Sequence, residues 1–202
     1  MDNRTMTYRR HLVVLLALVP LMLGYIRPAA SQSPISPLAV GATAPREVLD
    51  QSQPVASYGY WFEDDMIRWQ AFIPRLPNVA AVEVFISKYG EPGNVIVEVR
   101  TADGTLLAER TLAQADVPAD EWARVEFSTP VPVTPGTKYR IHVYADTDSP
   151  TPENRYVWRG SSDSTYNPDC GNDVSATHPA YDYAFKTYSL VSFTYLPLVS
   201  NN

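Results

Sequence analysis

Residues 81–112, AVEVFISKYGEPGNVIVEVRTADGTLLAERTL, constrain this chain more than any other stretch. Val82, Val84 and Ile86 fall on one side of an extended chain, and Glu83, Phe85 and Ser87 on the other. Val95, Val97 and Val99 alternate in the same way with Ile96, Glu98 and Arg100. Tyr89-Gly90-Glu91-Pro92-Gly93 and Asp103-Gly104 separate the runs. Period-two alternation broken by Gly, Pro and Asp-Gly is the pattern of an antiparallel sheet with one buried face.

The pattern recurs along the chain. Strands are expected near 66–73, 82–87, 95–100, 106–111, 123–127, 138–145, 155–159 and 181–188. In the first of these, Ile67, Trp69 and Ala71 share one face. No stretch after the N-terminal segment carries a 3.6-residue period, and no internal repeat is visible. The 13 Tyr, 4 Trp and many Val suit a half-buried pleated surface, and 18 Pro supply the breaks. The fold class is therefore all-β: an antiparallel β-sandwich of jelly-roll topology with about eight strands.

Residues 1–31 have the three parts of a secretory signal. Arg4, Arg9 and Arg10 make a positive start, residues 12–26 are apolar, and Pro28-Ala29-Ala30-Ser31 offers small residues for cleavage. The apolar run is short for a membrane span and is interrupted by Pro20 and Gly24. An uncleaved signal would be the only membrane contact. Residues 32–55, rich in Ser, Pro, Ala and Gln, read as a flexible leader. Residues 56–190 make the sandwich domain, and 191–202 a short apolar tail. The protein is expected to be secreted or held at the cell surface.

The formal charge is −6. Loss of residues 1–31 removes four Arg and one Asp, leaving 12 basic and 21 acidic residues, a net −9. An acidic surface argues against nucleic acid, which needs basic patches. Cys170 is the only cysteine, so no intrachain disulfide forms. It is either a buried thiol or a link between two chains.

Catalytic patterns are weak. There is no GxSxG, HExxH, Cys/His cluster or Gly-rich phosphate loop. Ser161, Asp163 and His178 could be assembled into a triad only on paper, and Glu63, Asp64, Asp65, Glu98 and Glu126 read as solvated carboxylates. No enzyme activity and no organic cofactor is expected. A structural calcium ion is left open, with Asp146, Asp148 and Asp182 as its candidate oxygen ligands beside the alternative of solvated loop carboxylates.

Aromatic residues carry the functional hint. Sugars present apolar C–H faces ringed by hydroxyls, which flat aromatics and planar polar groups match. Trp158, Arg159, Asp163, Tyr166 and Asn167 lie together at the long polar loop of residues 160–179. Tyr58, Tyr60 and Trp61 form a second cluster. Core packing is the competing explanation for each Trp.

Several phrases together carry a likeness: Trp69-Gln70-Ala71-Phe72, Val97-Glu98-Val99-Arg100, Ala102-Asp103-Gly104-Thr105-Leu106-Leu107-Ala108, Trp122-Ala123-Arg124-Val125-Glu126-Phe127, Val133-Thr134-Pro135-Gly136-Thr137-Lys138-Tyr139 and Tyr181-Asp182-Tyr183-Ala184-Phe185-Lys186-Thr187-Tyr188. Over about 65–188 the chain resembles bacterial extracellular jelly-roll modules of the galactose-binding-like and carbohydrate-binding-module type. The resemblance implies a non-catalytic module that binds carbohydrate or a cell-surface protein. The alternative is a structural or assembly protein of the cell envelope that joins a partner through its tail or a strand edge.

Overall fold

A computed structural model describes residues 44–62, 66–146, 151–163, 166, 169–172 and 181–193. The strands are β1 (Arg46–Gln53), β2 (Tyr58–Phe62), β3 (Arg68–Phe72), β4 (Asn78–Tyr89), β5 (Val95–Thr101), β6 (Leu106–Leu112), β7 (Asp120–Pro132), β8 (Tyr139–Ala145), β9 (Arg155–Ser161), β10 (Cys170–Asn172), β11 (Asp182–Tyr183) and β12 (Phe185–Val191). One 3-10 turn, Gln114–Asp116, precedes β7. The 81–112 stretch forms β4, β5 and β6, with Gly104 taking up φ +96° in the turn before β6. A side chain with a Cβ would be strained there.

All pairings are antiparallel. One sheet runs β1-β12-β4-β9-β11, with β7 on the other edge of β4 and β2 also on β9. The second runs β10-β3-β8-β5-β6. They pack face to face as a sandwich. Val82, Val84 and Ile86 of the first sheet and Val97, Val99, Ile141 and Val143 of the second point into the shared core. Phe72 meets Phe185 between the sheets, and Phe62 stacks on Tyr156 at 5.5 Å. The twelve strands exceed the eight in the sequence because β1, β2 and β10 lack clear alternation and the last strand divides into β11 and β12.

The leader is shorter than expected. Arg46–Gln53 is a strand, paired along β12 from Arg46↔Val191 to Gln53↔Phe185. Its Gln and Ser residues give no period, but β12 supplies the ladder. Gln53 also donates its amide to the Asp182 carbonyl at 3.0 Å. On β3, Trp69 and Ala71 share one face as the alternation predicts, and it is the face turned away from the other sheet. Gln70 and Phe72 face the other sheet, where the Gln70 Oε1 accepts the Tyr183 N–H at 2.7 Å. Trp69 lies on the outside of its own sheet, buried beneath the Arg140 guanidinium, 4.2 Å from the ring centre.

The division of the last strand is the key joint of the first sheet. One edge of β4 serves two partners in succession: β12 along Ala81–Val84 and β9 along Ile86–Tyr89. Ala184 fills the point where they part. Its N–H donates to the Arg159 carbonyl (2.8 Å), and its own carbonyl accepts the Phe85 N–H (3.2 Å) and the Trp158 Nε1–H (2.8 Å). β11 then turns away to pair with Gly160 and Ser161. A Cβ at Gly160 would lie 2.1 Å from the Asp182 carbonyl oxygen and 2.8 Å from the Tyr183 Cα. Those are backbone atoms and cannot rotate aside. Gly160→Ala is therefore expected to cost at least the usual ~1–3 kcal/mol of overpacking, read as a lowered melting temperature. An unchanged melt would show that the joint can open without loss.

Candidate functional site

The residues singled out around the long loop do not converge. Trp158 is 0% exposed, stacked on Tyr183 at 4.5 Å, with its N–H spent on Ala184. It is a core residue, which corrects its assignment as a sugar platform. Arg159 follows it on β9 and so faces the opposite way, its Nε 3.8 Å from Asp120 Oδ1. Tyr166 also turns inward. Its ring stands edge-on to Phe185 at 5.0 Å, and its hydroxyl donates to Gln51 Oε1 at 3.1 Å. Asp163 is exposed, and its backbone is engaged with Ser161: its N–H donates to the Ser161 Oγ, and its carbonyl accepts from that hydroxyl. Asn167 lies outside the described residues.

The calcium set fails on position. Asp146 accepts both N–H groups of Asn94, from backbone (2.6 Å) and side chain (2.8 Å), near the start of β9 where the Tyr156 hydroxyl meets the Gly93 carbonyl. Asp182 is buried beside the far end of β9, opposite Ser161, where it accepts the Tyr166 N–H. From Tyr156 to Ser161 the strand rise alone separates them by roughly 16 Å. Asp148 lies outside the described residues. Among the described residues no three His, Cys, Asp or Glu side chains are placed to hold a metal ion. Cys170 is buried, its thiol donating to the Tyr181 carbonyl (2.8 Å), and burial pushes its pKa up to about 12. A link between chains would require that strand to open.

The candidate catalytic groups are dispersed or spoken for. His178 and Glu63, Asp64 and Asp65 lie outside the described residues. Glu98 is buried in a two-pronged pair with Arg100 (2.6 and 3.0 Å) and accepts the Tyr144 hydroxyl. Burial tends to raise the Glu83 carboxyl, but bonds from Lys186, Tyr188 and Arg124 outweigh it and hold the group below the usual range.

What the fold does expose is an aromatic shelf on the outer face of the first sheet. β2 is an edge strand, so its alternation divides the Tyr58-Tyr60-Trp61 cluster. Phe62 enters the core and Tyr60 packs against Tyr181 at 4.8 Å, whereas Gly59 and Trp61 face outward. Trp61 is 45% exposed, and Tyr89, at the end of β4, is 43% exposed. The Arg155 guanidinium lies 5.7 Å from the first ring and 4.8 Å from the second. These groups border a depression of about 340 Å³ lined by Gly59, Tyr60, Trp61, Arg155 and Val157. Gly59 is required there, because a Cβ would come within 2.4 Å of Val157 Cγ1.

Cross-strand register extends the shelf into a row. Trp61 stands opposite Val157, Val157 opposite Ser87, and Ser87 opposite Asp120. The Ser87 hydroxyl donates to Asp120, whose carboxylate also faces Arg159. The row thus runs from open aromatics to a carboxylate, a hydroxyl and a guanidinium. The other aromatics on this face are already covered: Lys186 lies over Trp122 (3.8 Å) and Arg124 over Tyr188 (4.7 Å). Sequence reasoning noted Trp61 but missed Tyr89, Arg155 and Val157. The signal available was the outward parity of Arg155, Val157 and Arg159 on β9.

Residues 75–193 match the family described as Domain of unknown function (DUF4082). The matched segment holds Tyr89 and Arg155 but begins after β2, so Trp61 lies ahead of it. Comparison with curated proteins produced no match.

Proposed function

The chain belongs to the DUF4082 family, and from that premise we propose that it is an exported, non-catalytic binding module whose ligand is carbohydrate. The observation that carries this reading is the open Trp61–Tyr89 shelf beside the Ser87–Asp120–Arg159 polar row. A sugar ring would lay its C–H face on Trp61 and direct its hydroxyls toward Asp120 and Arg159. An indole held open to water on a rigid sheet needs no rearrangement to bind. The sequence resemblance to galactose-binding-like modules supports the same ligand class.

A glycan array followed by calorimetry on the mature domain tests the proposal. Trp61→Ala is expected to weaken binding at least tenfold, ~1.4 kcal/mol, and Tyr89→Ala to weaken it less. Both positions are exposed, so stability should stay within ~0.5 kcal/mol. Binding retained in the double variant would sink the site.

A second reading, assembly with a partner, is favoured by one observation: Val48 and Leu49 on edge strand β1 and Phe193 beyond β12 are exposed and apolar. If the array is blank and the domain self-associates until Val48 and Leu49 are changed to Lys, that reading replaces the first.

A further inference from the structure

Arg68 poses a charge problem that the shelf does not solve. It lies on β3 with its side chain directed between the sheets, and it is only 4% exposed. Its Nε–H donates to the Trp61 carbonyl at 2.8 Å and its Nη2 to Met66 Sδ, and its guanidinium lies 5.6 Å from the Tyr60 ring centre. Among the described residues no carboxylate pairs with it, and Nη1 makes no hydrogen bond. A buried guanidinium without a counter-charge is costly, and folds normally supply one.

Two further groups at the same place are unsatisfied. The hydroxyls of Tyr181 and Tyr183 are buried and have no hydrogen-bond partner. Their rings stand 4.9 Å apart, and Tyr60 lies 4.8 Å from the first and 6.4 Å from the second. The Tyr60 ring is the common neighbour, 5.6 Å from the Arg68 guanidinium and in ring contact with both Tyr181 and Tyr183. Burial raises the pKa of both phenols, and the Arg68 charge acts in the opposite direction on each. Tyr58, exposed, and Tyr60, partly exposed, lead from this cluster to solvent at the edge of β2.

We propose that this cluster, reached past Tyr58 and Tyr60 at the edge of β2, is a binding site for a carboxylate, with Arg68 supplying the charge and the Tyr181 and Tyr183 hydroxyls two further donors. One cation and neutral donors balance a monoanion, whereas a phosphate dianion would keep an uncompensated charge. A carboxylate accepts up to four hydrogen bonds, which suits a forked guanidinium and two phenols. The aromatic walls suit an apolar or C–H-rich body carrying that carboxylate. The site lies on the inner side of β2, separate from the Trp61 shelf on its outer side, and stands whether or not the shelf binds sugar.

The test uses the mature chain, calorimetry and thermal melting, with sodium acetate and sodium glucuronate as probes. Sodium chloride at equal ionic strength and glucose are the controls. Both carboxylates should raise the melting temperature saturably in the wild-type chain and equally in the Trp61→Ala chain, and sodium chloride should do so in neither. Glucose, which has no carboxylate and can reach only the shelf, should not do so in the Trp61→Ala chain. Response to glucuronate but not acetate would assign the carboxylate to a sugar. Arg68→Met should abolish binding. The double change Tyr181→Phe with Tyr183→Phe, which keeps the ring packing, should weaken it at least fivefold, and Trp61→Ala should leave it unchanged. The proposal is overturned if the wild-type chain shows no saturable response, or if Arg68→Met responds as the wild type does. It is equally overturned if binding arises only after Glu63→Gln, Asp64→Asn and Asp65→Asn together, since that acidic run would then be the counter-charge.

Discussion

Trp158→Ala is expected to destabilise the domain by about 3–5 kcal/mol, a large part of the ~5–15 kcal/mol that holds an ordinary domain folded. The indole is sealed in the core against Tyr183, so its loss leaves a cavity that the two sheets cannot close without moving the joint at Ala184. It also strips the Ala184 carbonyl of one of its two donors. Trp158→Phe separates the effects, keeping most of the ring but losing the N–H, and should cost less. Urea unfolding of the three proteins gives the comparison. A Trp158→Ala domain that melts like the wild type and has merely lost its glycan would return Trp158 to the ligand site.

The second large effect is acid sensitivity at His142. This side chain lies in a row across the outer face of the second sheet, Gly171–Trp69–His142–Glu98–Glu109 by register. It is 6% exposed, and its Nε2 has no hydrogen-bond partner. Burial chiefly, with the charges of Arg100 and Arg140 against the opposing pull of Glu98, lowers its pKa from 6.5 to about 4. The unfolded chain therefore takes up this proton near pH 6.5 and the folded chain only near pH 4. Above pH 6.5 the two states are alike and there is no penalty. As pH falls through that window the unfolded state gains, up to about 3 kcal/mol in total. His142→Gln should flatten the loss of stability between pH 6.5 and 4. It should leave the further loss at lower pH, where the unfolded chain protonates the Glu83 carboxyl while the folded chain, through Lys186, Tyr188 and Arg124, still holds it ionised. Equal acid slopes for the two proteins in the upper window would refute the assignment.

Much of the fold was legible because burial imposes a period on the residues that make it. β4, β5, β8 and the final strand each bury alternate Val, Ile, Tyr and Phe, and each stands where its alternation places it. β1 was not legible, because its Gln and Ser residues are held by β12 and have no hydrophobic face of their own. β10 is three residues inside a polar stretch, with Cys170 its only sign of burial. The candidate site was half legible. Trp61 was noted as an aromatic, but its worth depends on Tyr89 and Arg155, which are distant in sequence and brought together by the β4–β9 and β2–β9 ladders.

The order of residues along each strand determined which side chains share a face: Arg155, Val157 and Arg159 on one side of β9, Tyr156 and Trp158 on the other. It did not determine which face the second sheet would cover. Trp158 and Trp61 are chemically the same residue on neighbouring strands, yet one is core and the other shelf. Trp69 and Gln70 exchanged the places their polarity suggests, because a buried amide is tolerated once the Tyr183 N–H satisfies it and an outward indole can be roofed by Arg140. Parity is local, set by a chain that turns over at each residue. Inside and outside are set by where the two sheets meet, and by whether each buried polar group finds its partner there.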